Sequence, residues 1–544
     1  MNIALTARHA ASPNPPKPAG LPTIPTLDAG LAHLAALPLA NPAQARHDLA
    51  VLLDSLRHAP LPAADYLTLL EQGRIAFTYL QEEMARIFTD RAVPLGEREQ
   101  EVLAWVAGDW HRLANAYAHC AQVAPADDPL SPQQLALILQ RCLYCTGHAL
   151  YDHYRARREA PPGLWLDLHG YYASAEEWGV ASLPVDEPLD PGRGSTHATA
   201  TYVEALLLDL AAPYGLDLRA LAFVRRLASR WAPLVQIAAV EAEAPPRFAI
   251  DLFTDAGVRP LADGQSGTGL RRLDVGRLTA QLQQTQVQLA QRVQPAQLGL
   301  GDNMMADRCA HLIGQLNRPW SLTAAPRRFR RLPASGEARV CRGGDAIFRL
   351  LAGRTFIQPA TTAVYSRGEF ERLYMFRQQA EPAAGLAGTA HHDTQPTETW
   401  QVINHSAAGF RLNRSRAGLR LNHDQLLAVV PPDGAHCLLG RTSWLMEDRD
   451  GGLVLGVAVL PGLPTAVALR PVPSGGHRDP YQPGFLLAGL PALDQAASLV
   501  IPKGWYVTGR HLEVAADDGQ WRIKLSRLLE QGGDFERVSF TAAE

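Results

Sequence analysis

Apolar positions recur at three- and four-residue spacing from Thr26 to about Val240, in LAVLLDSLRHA, ADYLTLLEQGRIAFTYLQEEMARIF, EQEVLAWVAGDWHRLANAYAHCAQVA, PQQLALILQRCLYCTGHALYDHYRARRE and HATATYVEALLLDLAAPYGLD. Residues so spaced share one face of a helix, so this stretch predicts an α-helical bundle. Clusters such as APADDPLSP and PLDPGRGS mark its turns. Pro245 to Pro260 reads as strand and turn, and RLTAQLQQTQVQLAQRV and MMADRCAHLIGQLN read as two further helices. From about Pro326 strand-length apolar runs alternate with Gly, Pro and Asp turns, among them AVALRPV, PGFLLAGLP, SLVIPKGWYVTG and FERVSFTA. That half is expected to be all β. The fold class is multidomain α+β: a lead-in over 1–25, rich in Pro and Ala and expected to be disordered; an α-helical domain over 26–240; a mixed connector over 241–325; a β-barrel over 326–475; and a β-rich extension or second barrel-like unit over 476–544.

Length and charge narrow the function classes. At 544 residues the chain exceeds one ordinary core. A formal net charge of −3 argues against a general nucleic-acid binder, which needs a basic footprint to displace counterions. Any anion site must therefore be local. No apolar run reaches the roughly 18 to 20 residues that span a bilayer, and the N-terminus has no apolar core followed by a cleavage site. The cytoplasm is the expected compartment. Six scattered cysteines do not form a disulfide framework for a chain of this length.

The densest chemistry lies in the β half. WQVINHSAAGFRL, from Trp400 to Leu412, sets Asn404, Ser406 and Gly409 in an Asn-x-Ser-x-x-Gly pattern between two apolar stretches. An amide and a hydroxyl two residues apart on a strand point to one face and can bond a base edge, while a glycine lets the backbone pass close to a ligand. Upstream, PRRFRRLPASGEARV carries Arg327 and Arg331 in Arg-x-x-x-Arg spacing, beside Arg328 and Arg330. Guanidinium forks suit phosphate and also stack on purines. Downstream, His436 to Gly462 holds a Gly-x-x-x-Trp strand, an Asp-Gly turn and a Leu-Gly-Val strand.

These pieces, in this order, resemble the PilZ family of cyclic di-GMP receptors, over about 150 residues of the chain. The resemblance implies a PilZ-like antiparallel β-barrel that binds cyclic di-GMP without catalysis and without a cofactor. In it Arg327 and Arg331 would grip phosphates and guanine edges, Asn404 and Ser406 would bond a guanine, and Gly409 would admit it. It further implies bacterial signalling through the helical domain to a protein partner in motility, pilus or polysaccharide systems. The spacing departs from the family: about seventy positions separate Arg331 from Asn404, longer than most loops, so something is inserted. A barrel that has lost nucleotide binding and serves as an interaction scaffold is the alternative.

Other patterns read as structural. Arg226/Arg230 and Arg416/Arg420 repeat the arginine spacing, and Asn404 and Ser406 could instead be a turn pair. His405, between them, alternates to the opposite face. Cys142, Cys145 and His148 sit in a helix-period segment with no second pair at zinc spacing and read as core. His391, His392 and Asp393, in a loop-like stretch, would serve a metal-dependent hydrolase, a third and more distant reading. Gly192, Gly194 and the run Gly264, Gly267, Gly269 lack the strand-to-helix setting of a phosphate loop. GLWLDLHGYYASAEEWGV, with Trp165, Leu168, Tyr171, Tyr172 and Trp178, faintly resembles a tetratricopeptide helix but does not recur at a fixed period.

Overall fold

Helix ends in the first half are set by local chemistry that the sequence spells out. Ser131 caps the 24-residue helix over Pro132–Arg155, accepting from the Gln134 N–H while the Gln134 side chain returns to the Ser131 N–H, with Pro132 in the first turn. Asn41, Asp217 and His197 cap three others. The computed structural model describes residues 22–190, 194–241, 246–262, 264–302, 304–323, 329–359, 397–415, 418–434, 436–472, 479–490, 495–516 and 519–542.

Two compact units result, Met1–Arg328 with Met446–Asp450, and Phe329–Leu445 with Gly451–Glu544. The first contains α1 (Leu27–Ala35), α2 (Pro42–His58), α3 (Ala63–Ala85), α4 (Glu97–Val123), α5 (Pro132–Arg155), α6 (Leu164–Glu177), β1 (Val185–Asp186), β2 (Ser195–Thr196), α7 (Ala198–Leu210) and α8 (Leu218–Trp231). It continues with β3 (Gln236–Ala239), β4 (Phe248–Asp251), β5 (Arg259–Pro260), β6 (Leu270–Asp274), α9 (Gly276–Ala290) and α10 (Ala306–Trp320). Most of α5 is buried, charged residues included. Burial of that kind requires partners. The guanidinium of Arg141 meets Glu71 and Glu187 at 2.9 Å each, Arg74 meets the same Glu187 at 2.9 Å, and Trp110 Nε1 donates to Asp152 at 2.9 Å. Cys142 and Cys145 are fully buried in this helix, where burial pushes both thiols up.

The segment expected as a connector belongs to this unit. Strands β3, β6, β4 and β5 form a four-stranded sheet in that order, and fully buried Trp320 donates to the Leu207 carbonyl at 2.8 Å. Its indole meets Trp231 edge-on, so α10 is packed against α7 and α8 rather than strung between domains. Gly264, Gly267 and Gly269 lie in the turn before β6. Residues Met446–Asp450 are grouped here by their contacts: fully buried Glu447 accepts from the Leu95 N–H at 2.9 Å and pairs with Arg158 at 3.4 Å.

The second unit is two antiparallel barrels. The first comprises β7 (Leu332–Pro333), β8 (Glu337–Arg342), α11 (Gly344–Ala352), β9 (Thr397–Ser406), β10 (Gly409–Arg414), β11 (Leu426–Val430), β12 (Leu438–Glu447) and β13 (Leu453–Val459). Its order is β10-β13-β12-β11-β8-β9, closed by β9 pairing with β10, and β7 extends the edge of β9 that β8 occupies. The second, β14 (Pro464–Pro471), β15 (Gln482–Leu487), β16 (Ser498–Pro502), β17 (His511–Ala516), β18 (Gly519–Gln531) and β19 (Phe535–Ala542), closes as β14-β15-β16-β19-β18-β17. The passage from one to the other falls at residues 460–463, ahead of the boundary read at 475, because AVALRPV already belongs to the second barrel. A shared core that includes Ile347, Phe348, Leu426, Ala428, Phe485 and Phe535 joins the two through α11.

The inserted stretch is a long β8–β9 connection. Strands on either side keep continuous register, Glu337 opposite Gln401 through Cys341 opposite Thr397, so the barrel wall is uninterrupted. Its first part is α11; residues 360–396, with His391, His392 and Asp393, lie outside the described residues, as do 1–21 and Gly192.

Candidate functional site

A β-bulge decides which way the motif faces. Trp400 and Val402 are buried, and strict alternation would send Asn404 and Ser406 inward after them. Val402 stands opposite Leu412, however, while Asn404 stands opposite Arg411, so Ile403 is an extra residue in β9. The bulge reverses the faces. Asn404 and Ser406 thereby join exposed Arg411 on the outer wall, and both are half-buried. The Asn404 amide bonds to none of the described residues, which leaves its donors and acceptor open. Ser406 Oγ accepts from the Ala408 N–H at 3.3 Å, the turn bond that serine commonly makes, and retains its own O–H to donate.

Gly409 is explained by the neighbouring strand. It pairs with Ser406 on one side and Ala458 on the other, and a Cβ built there would lie 2.0 Å from the Val457 carbonyl oxygen. The glycine is thus demanded by strand packing, a reason distinct from the ligand approach expected of it. His405 stands opposite Phe410, with rings near parallel at 6.4 Å, on the face away from Asn404.

Strand β7 brings the chain just after Arg331 to this wall. Leu332 stands opposite His405 and Pro333 opposite Asn404. One step back along that register sets exposed Arg331 level with Ser406. Arg327 and Arg416 lie outside the described residues.

Two residues outside the expected site set share the wall, one of them the tryptophan of the Gly-x-x-x-Trp strand. Arg411 stands opposite Gly456 of β13, and a Cβ on Gly456 would come within 2.0 Å of Trp444 Nε1. The indole of Trp444, from β12, therefore lies over the space that Gly456 leaves, with the Arg411 guanidinium 5.7 Å from its ring centroid. Arg411 was legible by alternation from Gly409; Trp444 needed the strand order. Beneath the wall, buried Arg414 is paired with Glu398, sits 4.8 Å from the Trp400 ring and donates to the Leu419 carbonyl at 3.2 Å, tying down the turn after β10. The wall offers guanidinium, amide, hydroxyl and an aromatic face: phosphate donors, base-edge donors and acceptors, and a stacking platform.

Elsewhere, His148 lies against the Arg225 guanidinium, and burial with that cation holds its imidazole far below the ordinary range. A cation in contact disfavours a second one, so the ring is a core group beside Cys145. Among the described residues no group of three His, Cys, Asp or Glu side chains is arranged to hold a metal. No helix among them is long and apolar enough to cross a membrane.

Comparison with known proteins finds likeness at both ends of the chain. Residues 28–243 match the N-terminal domain of the cyclic-di-GMP receptor FimW, and residues 467–543 match the FimW C-terminal beta-barrel domain. The cyclic-di-GMP receptor FimW of Pseudomonas aeruginosa is 22% identical over 94% of this chain and 90% of its own length. No solved structure matches. The helical bundle and the second barrel fall in the matched stretches; the wall bearing Asn404 lies between them.

Proposed function

We propose that this chain is a non-catalytic receptor for cyclic di-GMP and that the ligand lies on the outer wall of the first barrel, which is PilZ-like. The observation that carries the reading is the pairing of Leu332 with His405 and of Pro333 with Asn404, which supports a place for the neighbouring Arg331 beside Asn404 and Ser406. The FimW likeness at both ends supports the same ligand. Arg327 and Arg331 would hold the phosphates by charge-assisted bonds, Asn404 and Ser406 would bond a guanine edge, and Trp444 with Arg411 would stack on a base. Gly409 would contribute through the hairpin's shape rather than by contact.

A ligand that binds only the folded chain raises its stability by mass action. Melting of the full chain in saturating cyclic di-GMP, linear pGpG or GTP tests the proposal. A rise with cyclic di-GMP and much smaller rises with the others are expected; no rise with cyclic di-GMP overturns it and leaves the scaffold reading. In the proposed role the protein works in the cytoplasm and signals to a protein partner in motility, pilus or polysaccharide systems.

A further inference from the structure

The helical unit carries a polar cleft of about 330 Å3 between α2 and α4, lined by Asp54 and Arg57 from one helix and His111, Arg112, Asn115 and His119 from the other. The α4 residues recur at three- and four-residue spacing and so project from one face. Arg112 is already engaged, donating to Asp109 at 2.6 Å and pairing with Asp54 at 3.3 Å. Half-buried Arg57 is paired with no carboxylate among the described residues.

Two buried polar atoms accompany that cation. Tyr66 Oη and His119 Nδ1 have no hydrogen-bond partner among the described residues, and their rings meet edge-on at 6.0 Å. Tyr66 is fully buried. Burial pushes the phenol up and the imidazole down, and the Arg57 charge reaches both. A buried hydroxyl or ring nitrogen left unpaired is costly, and a native fold rarely keeps two side by side.

One kind of ligand suits the cleft's own lining. An oxyanion would neutralise Arg57 through its bidentate fork and accept from the Asn115 amide and a His119 N–H, all three of which line the cleft. Donors arrive from two helices, which suits the several oxygens of a tetrahedral phosphate better than the two of a planar carboxylate. The volume exceeds a bare phosphate and sits at the low end for small-molecule sites. We propose that this cleft binds a small phosphate-bearing anion, with Arg57 as its anchoring cation, independently of the barrel wall.

Calorimetric titration of the full chain at fixed ionic strength with inorganic phosphate, glycerol 3-phosphate and malonate tests this. Saturable binding of the two phosphate compounds is expected, and the tighter of them distinguishes a free phosphate site from a phosphomonoester site. Arg57→Gln should weaken binding tenfold or more and Asn115→Ala several-fold, while Asn404→Ala leaves it unchanged. Arg57 and Asn115 are only half-buried, so both effects are read in a folded chain. No saturable heat with either phosphate compound, malonate bound as tightly, or full binding in Arg57→Gln would overturn the proposal. Loss of phosphate binding in Asn404→Ala would also overturn it, by moving the anion to the barrel.

Discussion

Leu332 stands opposite His405 across β7 and β9, and through that pair the chain brings Arg331, one residue upstream, to a strand some seventy residues later. Hydrogen bonds to a charged group contribute roughly 1.5 to 3 kcal/mol. Arg331→Ala or Arg327→Ala should therefore weaken cyclic di-GMP binding by about one to two orders of magnitude in a calorimetric titration. Arg416→Ala, beyond β10, should bind as the parent does. Equal loss at Arg416 would move the phosphate site.

Trp444 and Arg411 form one unit on the wall, with the guanidinium 5.7 Å from the indole centroid. Stacking of a base on an aromatic ring is worth about 1 to 3 kcal/mol. Trp444→Leu should cost about tenfold in affinity or more, and Arg411→Ala should cost less than Trp444→Leu. Unchanged affinity in Trp444→Leu would remove the indole from the ligand site.

Gly409→Ala should act first on stability. The added methyl would meet the Val457 carbonyl at 2.0 Å, so β10 must shift from β13, at a cost of about 1 to 3 kcal/mol. Denaturant melting of the variant without ligand would show it; a parent-like midpoint combined with lost binding would restore a direct ligand role.

Buried histidines set the acid response of the helical unit. Burial holds His153 at about 4, and His148 and His169 are also held below the ordinary value of 6.5. Below that value the unfolded chain takes protons that the folded chain refuses, so stability is complete above about pH 6.5 and is lost toward pH 4. His153 alone accounts for about 3 kcal/mol. Asp152, raised by burial to about 6, acts in the opposite sense: between 3.8 and 6 the folded chain keeps a proton that the unfolded chain releases. Asp109 and Asp209 are raised in the same way, but His119 is lowered with the other three imidazoles and Glu71 is held below its ordinary value, so the melting temperature should fall as pH drops from 6.5 to 4, and His153→Gln should flatten part of that fall. A pH-independent melting temperature would contradict this assignment.

What was legible followed from period and capping. Helices such as α5 were readable because Ser131, Pro132 and Gln134 announce the start, and the β half because alternating apolar runs meet Gly and Asp turns. Asn404 and Ser406 could be picked out as a same-face pair, but their outward direction could not, since it depends on one extra residue, Ile403, that period-2 reasoning cannot locate. Trp444 was visible as the tryptophan of a Gly-x-x-x-Trp strand, but its place on the wall was hidden for a related reason: its neighbour in space, Arg411, comes from a strand two positions away in barrel order. The connector read as separate because its packing rests on single long-range contacts, such as Trp320 with the Leu207 carbonyl.

The outer wall of the first barrel is the proposed seat of cyclic di-GMP. Calorimetric titration of the full chain and of Asn404→Ala tests it most directly, because the Asn404 amide is committed to no described residue and its loss should spare the fold. One saturable event of micromolar or tighter affinity, roughly −8 kcal/mol or better, is expected in the parent, weakened about tenfold or more in a normally folded variant. Absence of heat in the parent, or equal affinity in parent and variant, would contradict it.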